Sequence, residues 1–259
     1  MRISIHTHLK YALTDPATLL LQIEAAQDDA QTIDDSTLQV ARPVAWNVIA
    51  GEDGIGQRRW GVIEGLFECT YQARIRVERP AVPLAGLQAS PISTLPGAVT
   101  PYLMPSRYCH PEAFFTFVPM QFGDAAGGAL VAQMADWIGS NFTYDNRAST
   151  GATTATDSFH AMAGVCRDYA HVLIAMARSV GIPARMASVY APGVNPPDFH
   201  AVAEVYLEDK WHLVDPTEMA HPAEMVLIGV GRDAADVSFM TSYGQMDLVA
   251  QSVNVTSVA

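Results

Sequence analysis

Between Pro80 and Pro119 the chain carries eight of its sixteen prolines, at positions 80, 83, 91, 96, 101, 105, 111 and 119. A ring that fixes φ and removes the backbone donor excludes a continuous helix or a central strand from such a stretch. The chain must therefore organise on either side of it. The expected division is a β-rich unit over residues 1–80, a proline-rich linker over 81–120 and a second unit over 121–259.

Before the prolines, short apolar-alternating runs recur at 19–27, 36–50 and 66–78, separated by polar clusters at Asp34-Asp35 and at GEDGIG (51–56). That spacing predicts a small antiparallel β-sandwich. The run LFECTYQARIRVE is the clearest: Phe67, Cys69, Tyr71, Ala73, Ile75 and Val77 fall on one face, with Glu68, Thr70, Gln72, Arg74 and Arg76 on the other. From about residue 123 the period changes. Leu130, Val131, Met134, Trp137 and Ile138 recur at helical spacing, and a Thr- and Gly-rich loop follows at 149–156. Strand-like runs return at 185–193 and 200–217, so the second unit reads as α+β.

Charge narrows the functional classes. Fifteen Lys and Arg against 27 Asp and Glu give a net charge of −12, with no basic stripe to follow a phosphate backbone, so no nucleic-acid partner is expected. No apolar run approaches membrane-spanning length and the N-terminal stretch lacks the pattern of a secretion signal, so no membrane partner is expected either. Cys69, Cys109 and Cys166 form an odd, sparse set without CxxC spacing, which fits a reducing, cytoplasmic setting better than a disulfide framework or a zinc cluster.

One cysteine stands apart. In GVCRDYAHVLIAMARSVGIPAR (164–185), the apolar run from Cys166 to Val180 ends at Gly181 with Pro183 beyond, which predicts a helix with Cys166 in its first turn. Free amides and the positive end of the helix dipole favour an anion there, as a nucleophilic thiol requires. The competing reading is a small buried apolar side chain, and that reading is the better one for Cys69 and Cys109. A nucleophilic thiol also needs a base and an orienting acid. A two-residue turn at Glu208-Asp209 would pair Tyr206 with Trp211, Glu204 with Leu213 and Val202 with Asp215. That register places His200, Glu204 and Asp215 on one face, with His200 and Asp215 as diagonal neighbours; a slip of one residue would separate them. Glu204 is the second candidate for the orienting acid.

These motifs, GVCRDYA, GIPAR, His200-Ala201 with Glu204-Val205, and WHLVDPT (211–217), resemble the bacterial transglutaminase-like superfamily, whose members are often described as candidate cysteine proteases. PSRY (105–108), FTYD (142–145) and GRDAADV (231–237) are similar to the same family, and the β-rich first half is similar to the domain that commonly precedes its core. The resemblance implies a papain-like α+β core with Cys166 as nucleophile, His200 as base and Asp215 as orienting acid. Relatives often carry tryptophan two residues after the histidine, where this chain has Val202.

Tyr144, Trp137, Val202 and Arg167 are further candidates to line or shape a substrate cleft, with Tyr144 and Trp137 also able to assist an oxyanion. Core packing competes for both aromatics, and a structural ion pair for Arg167. His171 reads as a core histidine and Asp168 as a helix-start carboxylate. The implied activity is acyl transfer on a peptide or amide through a thioacyl intermediate, without a cofactor. Hydrolysis is favoured over amine transfer, and a noncatalytic interaction module is the alternative from another class.

Overall fold

In the computed structural model, which describes residues 1–258, the chain opens with strands β1 (Arg2–Ala12), β2 (Ala17–Leu21), β3 (Gln31–Val40), β4 (Asn47–Ala50), β5 (Gln57–Ile63) and β6 (Leu66–Val77). A segment of single 3-10 turns leads to helices α1 (Phe117–Phe122) and α2 (Gly127–Asn141). The chain continues through β7 (Thr143–Tyr144), α3 (Ala155–Ala161), β8 (Ala163–Gly164) and α4 (Cys166–Ser179). It then runs through β9 (Ala184–Tyr190), β10 (His200–Leu207), β11 (Lys210–Val214), β12 (Val226–Gly231), α5 (Ala234–Val237), β13 (Met240–Tyr243) and β14 (Asp247–Val258). The fold is α+β.

Two four-stranded antiparallel sheets, ordered β14-β1-β6-β3 and β13-β2-β5-β4, form the sandwich. Along β6 the side chains at Phe67, Cys69, Tyr71, Ala73, Ile75 and Val77 are all buried while Gln72, Arg74 and Arg76 are exposed, as period-two alternation requires. Ile3, Leu9, Leu19, Phe67, Tyr71 and Ile75 share one apolar cluster, which continues onto Tyr190, Val226 and Ile228 of a third sheet. That sheet is ordered β11-β10-β9-β12, and α4 packs against it through Val172, Leu173 and Met176 on Ala184, Met186, Ala203 and Val205. The β-sandwich thus packs at the Tyr190 end of β9, and the cysteine-bearing helix covers Ala184 and Met186 farther back along the same strand.

Several sequence-based expectations change. The second unit does not own residues 121–259: β13 pairs with β2 and β14 with β1, so the C-terminal strands complete both sheets of the sandwich. Nothing local in a strand's alternation names a partner two hundred residues away. The 81–120 segment is not a loose linker, because Tyr102, Tyr108, Cys109, Phe114 and Val118 are buried, the last four against α4 and its neighbours. Prolines prevent regular ladders there but not the burial of apolar side chains. Asp34 and Asp35 lie inside β3 at a register shift rather than in a turn, and their carboxylates meet Arg76 and Arg74 across the ladder. The run at 36–50 is broken around Pro43, and the 19–27 run is a strand only to Leu21. The expected loop at 149–156 ends at Thr154, whose hydroxyl and Asp157 form a capping box that opens α3.

Candidate active site

Cys166 is the first residue of α4, and the turn that delivers it is built by three neighbours. Asp168 is fully buried and its Oδ2 accepts the N–H of Val165 at 2.9 Å, satisfying an amide that the helix itself cannot. The same carboxylate explains Gly164, where a Cβ would come within 2.6 Å of the Asp168 Cβ. The glycine is required for close approach, not for a left-handed backbone. Arg167 bonds Asp168 Oδ1 at 3.0 Å, Ser149 Oγ at 2.7 Å and the Thr150 carbonyl at 2.7 Å, tying the 149–150 loop to the helix start.

His200 arrives from the sheet. The β10–β11 turn at Glu208 and Asp209 has φ of 48° and 60°, the left-handed pair that a two-residue hairpin needs. Its register pairs Leu207 with Lys210, Tyr206 with Trp211 and Glu204 with Leu213, as the spacing predicts. Asp215 follows β11 directly and accepts the Nε2 proton of His200 at 2.8 Å. Asp215 is itself fixed: Oδ1 accepts from the Thr217 N–H at 3.0 Å and its hydroxyl at 2.7 Å, and Oδ2 accepts from the Ala220 N–H at 3.0 Å. With Nε2 engaged, the buried Nδ1 is left without a conventional partner and is the ring nitrogen available to the Cys166 sulfur, which interacts with the His200 side chain.

The electrostatics follow from these contacts. Burial works against a charged imidazole at His200, but the hydrogen bond to Asp215 and the neighbouring Cys166 outweigh it and raise the group to about 10. Asp215 is held below the ordinary carboxylate range: burial opposes this, and the bonds from His200 and Thr217 prevail. Burial pushes the thiols of Cys69 and Cys109 up to about 12. Cys166 is the one cysteine that is not buried.

The other candidate residues fall into place around this centre. Glu204 shares the His200 face, but its carboxylate bonds Arg185 at 2.7 Å instead of the imidazole. Arg185 in turn reaches Asp53 at 2.7 Å and lies 4.1 Å from the centroid of the Trp211 ring. Asp53 comes from the GEDGIG turn of the sandwich, a link that carries no sequence signal. Val202 is completely buried in an apolar cluster with Ala187, Val189 and Leu213, so it lines no cleft. Trp137 packs against Phe117, Phe142 and Phe159 and belongs to the core around α2. Arg167 is consumed by its bonds to Asp168, Ser149 and Thr150 and does not present a free guanidinium to a substrate. His171 is buried, stacked 5.0 Å from Tyr108, and accepts the Ala234 N–H through Nε2 at 3.2 Å. Tyr144 differs from these: it is half-buried and pairs with Gly164 across β7–β8, and burial, with the charge of the neighbouring Cys166, pushes its phenol well above the ordinary value. Thr217 and the Ala220 amide were missed by sequence reasoning, although Asp-Pro-Thr is a recognisable side-chain turn.

Among the described residues no group of three or more His, Cys, Asp or Glu side chains is arranged to hold a metal ion. A cavity of about 940 Å³ runs along edge strand β11 and reaches Asp215, lined in part by Asp136, Arg185, Trp211 and Glu218.

A family model described as the transglutaminase-like superfamily matches residues 121–216. A solved structure from Cytophaga hutchinsonii, of a protein described as a candidate cysteine protease, is 30% identical, covers 100% of this chain and 91% of that one, and superposes with a TM-score of 0.95. An uncharacterized protein of Mycobacterium leprae is 31% identical over 120 residues, 42% of this chain and 42% of its own length. An uncharacterized protein of Mycobacterium tuberculosis is 30% identical over 123 residues, 42% of this chain and 39% of its own. The matched stretch thus spans about two fifths of these curated relatives.

Proposed function

The chain belongs to the transglutaminase-like superfamily, and on that premise we propose that it is a cysteine-dependent acyl-transfer enzyme acting on peptide or amide bonds, with water as the acceptor. One observation carries the reading. The only cysteine that is not buried opens a helix beside a histidine whose far ring nitrogen is held by a carboxylate with three further hydrogen bonds of its own.

The chemistry follows from the positions. The Cys166 sulfur attacks the amide carbonyl, forming the C–S bond, and the thiol proton resides on Nδ1 of His200. In this reading the helix-start N–H of Cys166 receives the oxygen that becomes negative in the tetrahedral adduct. Collapse of the adduct breaks the C–N bond, and His200 delivers its proton to the departing amine, leaving a thioester on Cys166. His200 then accepts a proton from water as its oxygen attacks the thioester, which frees the acid and restores the thiol. Asp215 keeps the imidazole in the tautomer and orientation this exchange requires. The full-length similarity to a protein described as a candidate cysteine protease supports water over an amine as acceptor.

The test is incubation of the full chain with a mixture of glutamine- and lysine-containing peptides plus a primary amine, read by mass spectrometry with Cys166→Ala as control. Cysteine-dependent cleavage or deamidation is the expected result. Amine incorporation would make the protein a transglutaminase, and products identical in the Cys166→Ala control would favour a noncatalytic interaction module.

A further inference from the structure

β11 is the edge of its sheet, and its open side borders a cavity. In the order β11-β10-β9-β12, β10 is the one strand paired with β11 among the described residues. Leu207 and Lys210 flank the two-residue turn and exchange both backbone hydrogen bonds, so the alternation of an antiparallel ladder also assigns the backbone groups of His212 and Val214 to β10. Trp211 and Leu213 therefore turn their N–H and carbonyl groups to the open edge. Every residue from Lys210 to Asp215 lines the cavity of about 940 Å³, a volume at the upper end of ligand clefts. An open edge is a template for another chain. The exposed Lys210 guards the tip of this one and leaves the stretch from Trp211 to Leu213 free.

The walls select the charge of an occupant. Of the carboxylates on the lining, Asp28 meets Arg79 at 3.8 Å, Glu204 meets Arg185 at 2.7 Å and Asp215 meets His200 at 2.8 Å. Asp29 between β2 and β3, Asp136 of α2 and Glu218 beyond Asp215 are exposed and have no ion-pair partner among the described residues. Against these three, Lys210 is the one lysine or arginine on the lining left unpaired among the described residues. Ala132 and Leu84 supply apolar wall beside Asp136.

We propose that this cavity takes an extended, basic segment of another polypeptide, which adds to β11 as a fifth strand through the N–H and carbonyl groups of Trp211 and Leu213 and sets lysine or arginine side chains against Asp29, Asp136 and Glu218. Main-chain bonds give such an addition its affinity, and the flanking carboxylates give it selectivity. Neither Cys166 nor His200 lines the cavity, so binding there is independent of the acyl-transfer chemistry and either can fail alone.

The net charge of −12 would attract any basic peptide without fixing its backbone, and the experiment separates the two effects. The probe is a short fluorescein-labelled peptide of alternating valine and lysine, titrated into the full chain in about 0.15 M salt. Its anisotropy rises saturably, and the amides of Trp211 and Leu213 gain protection from hydrogen exchange while that of His212, already bonded to β10, is unchanged. N-methylation of the central peptide amides keeps every charge and removes the backbone donors, weakening binding about 10-fold or more, the order expected for two lost hydrogen bonds. Asp136→Asn combined with Glu218→Gln weakens it about 3- to 10-fold at an unchanged melting temperature. Equal affinity for the N-methylated peptide would reduce the effect to general attraction and overturn strand addition. Exchange protection mapped away from β11, an unchanged affinity in the double variant or no saturable binding would overturn it as well.

Discussion

Asp215 Oδ2 lies 2.8 Å from Nε2 of His200, and the same carboxylate is held by Thr217 and by the Ala220 amide. The imidazole is therefore oriented by a group that cannot itself rotate away. Replacing Asp215 with Asn should lower the turnover of any Cys166-dependent reaction by at least about 100-fold, because the wrong tautomer is then favoured. The His200 titration, followed by NMR on labelled histidine, should drop from its value of about 10. A His200 titration unchanged in Asp215→Asn would dissociate the two residues.

Glu204 offers the contrast. Its partner is Arg185, so Glu204→Gln should leave the His200 titration in place while lowering the melting temperature. Asp53→Ala should act in the same direction, by about 1–3 kcal/mol measured in denaturant, since it takes one carboxylate from a buried guanidinium that keeps the other. A larger effect of Glu204→Gln than of Asp215→Asn on His200 would reverse the assignment of orienting acid.

The thiols should separate by reactivity. At neutral pH a mild alkylating reagent should modify Cys166 alone, with Cys69 and Cys109 protected by burial and by thiol values near 12. His200→Ala should remove most of the Cys166 reactivity. Modification of all three at similar rates, mapped by peptide mass, would contradict the site.

The pH dependence has a fixed sign. His200 is raised to about 10 in the folded protein, against about 6.5 for an ordinary histidine. Its contribution to stability is fully present below about pH 6.5 and is lost as pH rises through about 10. Denaturant unfolding of wild type should show this loss, and His200→Ala should not. Asp215 acts at the other end, its contribution present above the ordinary carboxylate range and lost as pH falls below it.

Gly164→Ala should destabilise the protein by about 1–3 kcal/mol, because the new methyl meets the Asp168 Cβ at 2.6 Å inside a packed turn. The companion change Asp168→Gly, which removes the Cβ it would meet, should cost less in the Gly164→Ala background than it does alone. Additive losses in that double-mutant cycle would mean that the glycine is needed for another reason.

The sequence determined the site by local rules. A cysteine before a helix that stops at Gly181 fixes where the thiol lies, and a hairpin turn at Glu208-Asp209 fixes the register that brings His200 and Asp215 to one face. Both are short-range choices with a single period, so they could be read along the chain. Tertiary structure decided what local rules leave open. It gave Glu204 to Arg185 rather than to His200, packed the proline-rich segment into the core, and consumed Arg167 and Trp137 in internal contacts. It also returned β13 and β14 to the sandwich they close. Each of these depends on which distant surface supplies a partner, and burial energy selects that partner only once the elements are assembled.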